Sequence, residues 1–273
     1  MTATGSESCG SRGPSGESPG EALLEAQPKQ RSRRAVVLVF GESEHDRGAV
    51  CRLTAGLRPD FAGSVEARRA PLVLIKNARP EKARSNAQEI AKLVKQESAV
   101  RDVVAVLAHE DCDATEPAHI AAATRIEDAL ASAGCPGAHV AVTPAWEIEA
   151  WWLVFPDAVV TVVEGWREPN DWLGKDVGQI ENAKERLIKA LRPTRGGRKA
   201  RDYHEADSIE IARNVVSLSL LPSFDEDHRK TPGKGVAATR TRSSSFGAFR
   251  RKVLALPSVE DGQLAKRATS DAP

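Results

Sequence analysis

Two carboxylates one residue apart, Asp111 and Asp113, close the apolar run Val103 to Asp113, VVAVLAHEDCD. A strand puts alternate side chains on one face, so an extended backbone carried to the end of this run brings both acids to one point. Converging carboxylates suit a hard cation with oxygen ligands, Mg²⁺ first and Mn²⁺ second. A second acidic group follows another apolar run: Val36 to Phe40, VVLVF, leads straight into Gly41, Glu42, Ser43 and Glu44. A third, Glu147 and Glu149, stands among Trp146, Trp151 and Trp152 in WEIEAWWL. Carboxylates gathered in one place raise each other's pKa unless a cation neutralises them or one holds a proton. A divalent ion would polarise a phosphoryl oxygen and activate water, with Glu42 nearby as general acid or base, so phosphodiester hydrolysis is the candidate reaction. Each acid also has a plainer explanation. A DxD pair after a strand commonly lies in a solvated loop or caps a helix, and Glu42, Glu44, Glu147 and Glu149 all suit the positive end of a helix dipole.

The surrounding elements decide whether these acids can meet. Ala35 to Phe40, Val65 to Ile75, Val103 to Leu107 and Ala138 to Val142 read as strands, apolar enough to be covered on both faces as in a parallel sheet. Between them, Val50, Leu53 and Leu57 form the apolar stripe of a helix over Asp46 to Leu57, and Ala83, Ala87, Ile90 and Val94 that of one over Pro80 to Glu97. A third helix, capped by Thr115, carries Ala123, Ile126, Leu130 and Ala133 and ends at Gly134. This alternation predicts an α/β fold over residues 34 to 160, a mostly parallel sheet sandwiched by helices in the Rossmann-like, doubly wound manner. Ligands of such a sheet bind beyond the carboxyl ends of its strands, where Glu42 and the Asp pair stand. From 161 to 256 the pattern turns helical, over Val177 to Leu191, His204 to Leu221 and Ser245 to Leu256, predicting an extension packed on that core. Residues 1 to 33 and 257 to 273 carry too few large apolar side chains to offset ordering entropy and predict disordered tails.

A net charge of +1, with 41% hydrophobic and 28% charged residues, names no partner class by itself. The charge is unevenly spread, however: Arg192 to Lys252 holds 14 Lys and Arg against 7 Asp and Glu. Within it Arg195, Arg198, Lys199 and Arg201 are candidates for phosphate contact, making nucleic acid, DNA or RNA, the expected partner. Nothing identifies a protein partner. With no apolar run of about 18 residues and no basic start leading into an apolar core, neither a membrane span nor a secretory signal is expected, and the cytoplasm is the expected location. Cysteines 9, 51, 112 and 135 include no CxxC pair, which gives no disulfide framework and makes a zinc site of His109, Cys112 and His119 a poor candidate; Cys51 and Cys135 read as small apolar fillers. Trp151 and Trp152 fall on different helix faces, so core packing explains them better than a base-stacking platform does.

The order of these motifs resembles the Toprim superfamily of topoisomerases, primases and nucleases. Phe40-Gly41-Glu42-Ser43-Glu44 is similar to its strand-to-helix glutamate motif, and His109-Glu110-Asp111-Cys112-Asp113 to its DxD motif. Glu149-Ala150-Trp151-Trp152-Leu153 resembles the EAWLL-like segment of small bacterial Toprim-like proteins of the DUF4276 and RloB type, a likeness over residues 35 to 160. The resemblance implies Mg²⁺ held by Asp111 and Asp113 with Glu42 beside them as general acid/base, Glu149 as a further acid close by, nuclease-type activity and a place in phage defence; Glu44 is a further acidic candidate by its place next to Glu42. A topoisomerase would need a nucleophilic tyrosine and a large DNA gate; the only tyrosine is Tyr203, which reads as a packing residue. Two rivals stand beside this reading. Asp111-Cys112-Asp113-Ala114-Thr115 also spells the DxDxT motif of haloacid dehalogenase-like phosphatases, with Asp111 as nucleophile, although that family places it after its first strand. The other rival is a non-catalytic nucleic-acid-binding module whose acidic edge is structural.

Overall fold

The structure, a computed structural model, describes residues 33–69, 74, 79–192, 200–222, 224 and 241–258. The predicted tails, apart from their inner ends, most of the PLVLI part of the second predicted strand, and Arg195, Arg198 and Lys199 lie outside the described residues.

Four strands, β1 (Ala35–Gly41), β2 (Val65–Ala67), β3 (Asp102–His109) and β4 (Ala138–Val142), form an all-parallel sheet in the order β2-β1-β3-β4. Helices α1 (Glu44–Leu57), α2 (Pro80–Ser98) and α3 (Ala118–Ser132) make the crossovers, giving the Rossmann-like α/β architecture that the alternating pattern predicts. The period of two sorts the strand residues cleanly. Val36, Leu38, Phe40, Val106 and Ala108 face α2 and α3, while Val37, Val39, Ala105 and Leu107 face α1 and the helices that follow the sheet.

Those later helices are α4 (Glu149–Trp152), α5 (Pro156–Val160), α6 (Ala183–Leu191), α7 (Asp207–Ser217) and α8 (Ser244–Leu254). One apolar cluster runs unbroken from Val37 of β1 through Trp151 and Leu187 to Phe246 and Leu256, so the helical stretch and the sheet share a core. Trp151 and Trp152 are both fully buried in it, as packing residues. The outer edge of β4 is blunted by a side chain: Ala141 N–H donates to Glu127 Oε1 (2.9 Å), and Glu127 also pairs with Lys252 of α8.

Three local expectations change. Thr115 caps nothing: α3 begins at Ala118, and Thr115 contributes its carbonyl to the turn before it (3.1 Å). The helix predicted over Val177 to Leu191 is broken, because Asn182 adopts a left-handed φ of 53°, leaving a single 3₁₀ turn over Val177–Gln179 ahead of α6. The helix predicted from His204 starts at Asp207, whose carboxylate accepts the His204 N–H (2.8 Å). Among the described residues no helix is long and apolar enough to cross a membrane.

Gly178 marks where the loop after β3 meets the helical stretch. It lies against Glu116, whose carboxylate accepts the N–H groups of Ser245 (2.7 Å) and Ser244 (3.1 Å) and so closes the start of α8. A Cβ at Gly178 would fall 2.0 Å from Glu116 Cδ. Gly178→Ala is therefore expected to cost about 3 kcal/mol, because it overpacks the contact and dislodges the cap. Urea denaturation measures this, and a loss within about 0.5 kcal/mol of zero, the usual range for a surface site, would show that the latch is slack.

Candidate acidic site at the strand ends

The register sets Gly41, His109 and Val142 side by side at the carboxyl ends of β1, β3 and β4. Gly41 allows a close approach: a Cβ there would stand 2.9 Å from Arg47 Cγ and 3.3 Å from His109 Cβ. Immediately beyond it, Ser43 caps α1, its hydroxyl accepting the Asp46 N–H (3.0 Å) and donating to Asp46 Oδ2 (2.7 Å). That cap fixes Asp46 in the first turn, where Oδ2 stands 4.0 Å from His109 Nδ1. On the ring's other side Asp111 Oδ1 lies 3.4 Å from Nε2, so a fully buried imidazole sits between two carboxylates. Burial alone would push the His109 pKa down; the Asp111 contact and the charges of Asp46, Asp111 and Glu42 outweigh it and hold it up at about 9. That balance favours the imidazolium form, which offsets part of the negative charge around it.

The third acidic segment closes over this pair. Glu149 opens α4 with only 5% of its surface exposed, and burial, then the charges of Asp111, Glu147 and Asp46, push its carboxyl up to about 8. Tyr203 O–H donates to its Oε1 (3.1 Å). Glu147 is pulled both ways. Burial and the Asp111 charge raise its pKa, while the Lys184 N–H at the start of α6 donates to its Oε2 (2.9 Å) and lowers it; the net shift is upward. The Lys184 ammonium pairs with Glu205 and faces Glu147 and Glu149.

Several predicted site residues meet here and several do not. The Asp111 charge bears on Glu149 and, with that of Glu42, on His109; Glu42 is exposed one residue past β1. Asp113 departs from the expectation. Its φ of 49° is left-handed and it stands exposed, so the alternation that was to carry both Asp side chains to one face is broken before Asp113. Glu44 is exposed in the first turn of α1, where it suits the helix dipole. Arg201 is committed inside the helical stretch by a two-point bond to Asp207 (2.7 and 2.5 Å) and by its place over the Trp166 ring (5.7 Å). Among the described residues no three His, Cys, Asp or Glu side chains are gathered closely enough to hold a metal ion, the His109, Cys112 and His119 trio included.

Four participants escaped the sequence reading: Asp46, His109 as a charge partner, Lys184 and Tyr203. Only Asp46 left a signal, the Ser43-x-x-Asp46 spacing of a helix start. Comparison with known proteins returned nothing: no family model, no curated protein and no solved structure matches this chain.

Proposed function

We propose that the strand-end site hydrolyses phosphodiester bonds of nucleic acid with the aid of a divalent cation, Mg²⁺ first, in the manner of the Toprim-like proteins its motifs resemble. One observation carries the reading: acids following three different strands, Asp46 after β1, Asp111 after β3 and Glu149 after β4, gather at one edge of the parallel sheet, where burial first and then the charges of Asp111, Glu147 and Asp46 raise the Glu149 carboxyl to about 8. Strand order supports it over the dehalogenase-like alternative, since the DxD follows β3, the third strand of the chain and the neighbour of β1, whose end leads into Glu42. A place in phage defence belongs to the same proposal and rests on the resemblance.

The donor chemistry fits a hard cation, being carboxylate oxygen throughout, and the raised Glu147 and Glu149 mark negative charge that a cation would relieve. The spacing does not form a ready shell, so no coordination geometry is assigned to Asp111, Asp113 and Glu42. A bound Mg²⁺ would supply polarisation of a phosphoryl oxygen. The chain's own contributions are separate. Exposed Glu42, whose charge reaches His109, is the general base; His109 and Asp46 hold Asp111 in place; Glu149 carries a proton near neutrality and is the acid for a leaving oxygen.

The test is cleavage of single-stranded and duplex DNA and RNA, with Mg²⁺ and with chelator. Glu42→Gln and Asp111→Asn are each expected to slow cation-dependent cleavage at least about tenfold, the low end for loss of a positioned acid or base. If both variants cut as fast as the unsubstituted protein, the assignment fails. Retained nucleic-acid affinity in chelator with no cleavage under any condition points instead to a binding module.

A further inference from the structure

Tyr203 packs its ring beside Trp166, with centroids 6.3 Å apart, and a phenylalanine could do as much. Its hydroxyl does more. It reaches Glu149 Oε1 at 3.1 Å and Ser208 Oγ at 2.7 Å, and Ser208 Oγ in turn accepts the Trp152 indole N–H at 3.1 Å. All four residues are buried. An indole can only donate and a carboxylate can only accept, so with Glu149 ionised every link has one direction. Trp152 donates to Ser208, Ser208 to Tyr203, and Tyr203 to Glu149. In the opposite order, with a proton on Oε1 donated to Tyr203, the Ser208 oxygen would accept from both Tyr203 and Trp152, and the Ser208 proton would be left without an acceptor among the described residues.

We infer that Tyr203, backed by Ser208 and Trp152, is a positioning residue that holds Glu149 at the acidic site as a hydrogen-bond acceptor and favours its ionised form against the neighbouring acids. The groups that face Glu149 make this bond matter. Asp111 from beyond β3, Glu147 from its own segment and Asp46 from α1 all oppose ionisation, and Lys184 of α6 is the cation that feels its charge. A chain of three donors aimed at one oxygen polarises along its length, each bond strengthening the next. The consequence is a carboxyl able to give up and regain its proton near neutral pH rather than one locked neutral by burial. Its catalytic meaning rests on the proposed hydrolytic reading; its structural content does not.

The experiment is a carboxyl-carbon NMR titration of the full chain labelled at glutamate, in chelator, with the Glu149 signal assigned by its loss in Glu149→Gln. Tyr203→Phe keeps the ring and removes the donor, and is expected to move the Glu149 midpoint up by about one pH unit, the size of one hydrogen bond to a charged group. Ser208→Ala weakens the chain one step back and is expected to shift it upward by less. An unchanged or lowered midpoint in Tyr203→Phe overturns the inference, as does an unmoved Ser208→Ala midpoint should the tyrosine variant fail to fold. Titration needs no turnover. A protein that cuts nothing yet shows the shift defeats the nuclease reading alone, and an active protein with an unmoved midpoint defeats this inference alone.

Discussion

Trp151→Ala is expected to remove about 4 kcal/mol of folding stability, well inside the range for deleting a large buried aromatic. The indole is fully buried, stacked on Phe249 with centroids 5.2 Å apart and meeting Phe246 edge-on at 5.3 Å. Its N–H donates to Ser245 Oγ (3.0 Å), the atom that also accepts the Ala145 N–H (3.2 Å) in the loop after β4. Alanine would therefore open a cavity among aromatic rings and loosen the place where that loop, α4 and the first turn of α8 are joined. Trp151→Phe separates the two effects: it fills most of the volume but drops the donor, and should lose about 1 to 2 kcal/mol. Urea denaturation with the slope checked for two-state behaviour gives both numbers. If Trp151→Ala loses less than about 1 kcal/mol, the α8 attachment is not what holds the acidic loop in place.

What the sequence could and could not reveal divides along the range of the interactions involved. Val36 to Phe40 forms a strand because an unbroken apolar run, β-branched or aromatic at all but Leu38, has no solvated face to offer, and that signal is local. Stripes such as Ala87, Ile90 and Val94 are equally local and placed α2 correctly. The site fails the same test. Whether Glu42, Glu44 or Asp46 ends beside His109 depends on where α1 starts, which the Ser43 cap decides within a single turn. Asp113 leaves the extended region because Asp113 N–H bonds to the Trp146 carbonyl (3.1 Å) and the Trp146 N–H to that of Ala114 (2.9 Å), pairings across more than thirty residues. Tyr203 reaches Glu149 from 54 positions away, and no periodicity encodes that bond. The contacts across the predicted border near residue 160 are equally illegible in the sequence: Glu116, Glu147 and Glu149 are all held by residues beyond it.

Stability is expected to fall as pH rises from about 5 to about 9, and Glu149→Gln to remove the lower part of that slope. The sign follows from burial. Glu149 is raised from 4.5 to about 8 on folding, so the folded state binds a proton that the unfolded state has already lost across that window. Its contribution is fully present below pH 4.5 and disappears as pH climbs through about 8. His109, raised from 6.5 to about 9, adds a second loss confined to the upper window. The Glu149 part is on the order of 3 kcal/mol, allowing for the charge it shares with Asp111 and Glu147. Glutamine is nearly isosteric and cannot ionise, so the variant should match or fall slightly below the unsubstituted protein near pH 5 and exceed it above about pH 8. Chemical denaturation at several pH values in chelator would show the two curves crossing, with the variant keeping the His109 and Glu147 portions of the slope. Parallel curves would mean that Glu149 is ionised throughout this range in the folded protein, and that the acids at the strand ends do not share one enclosed site.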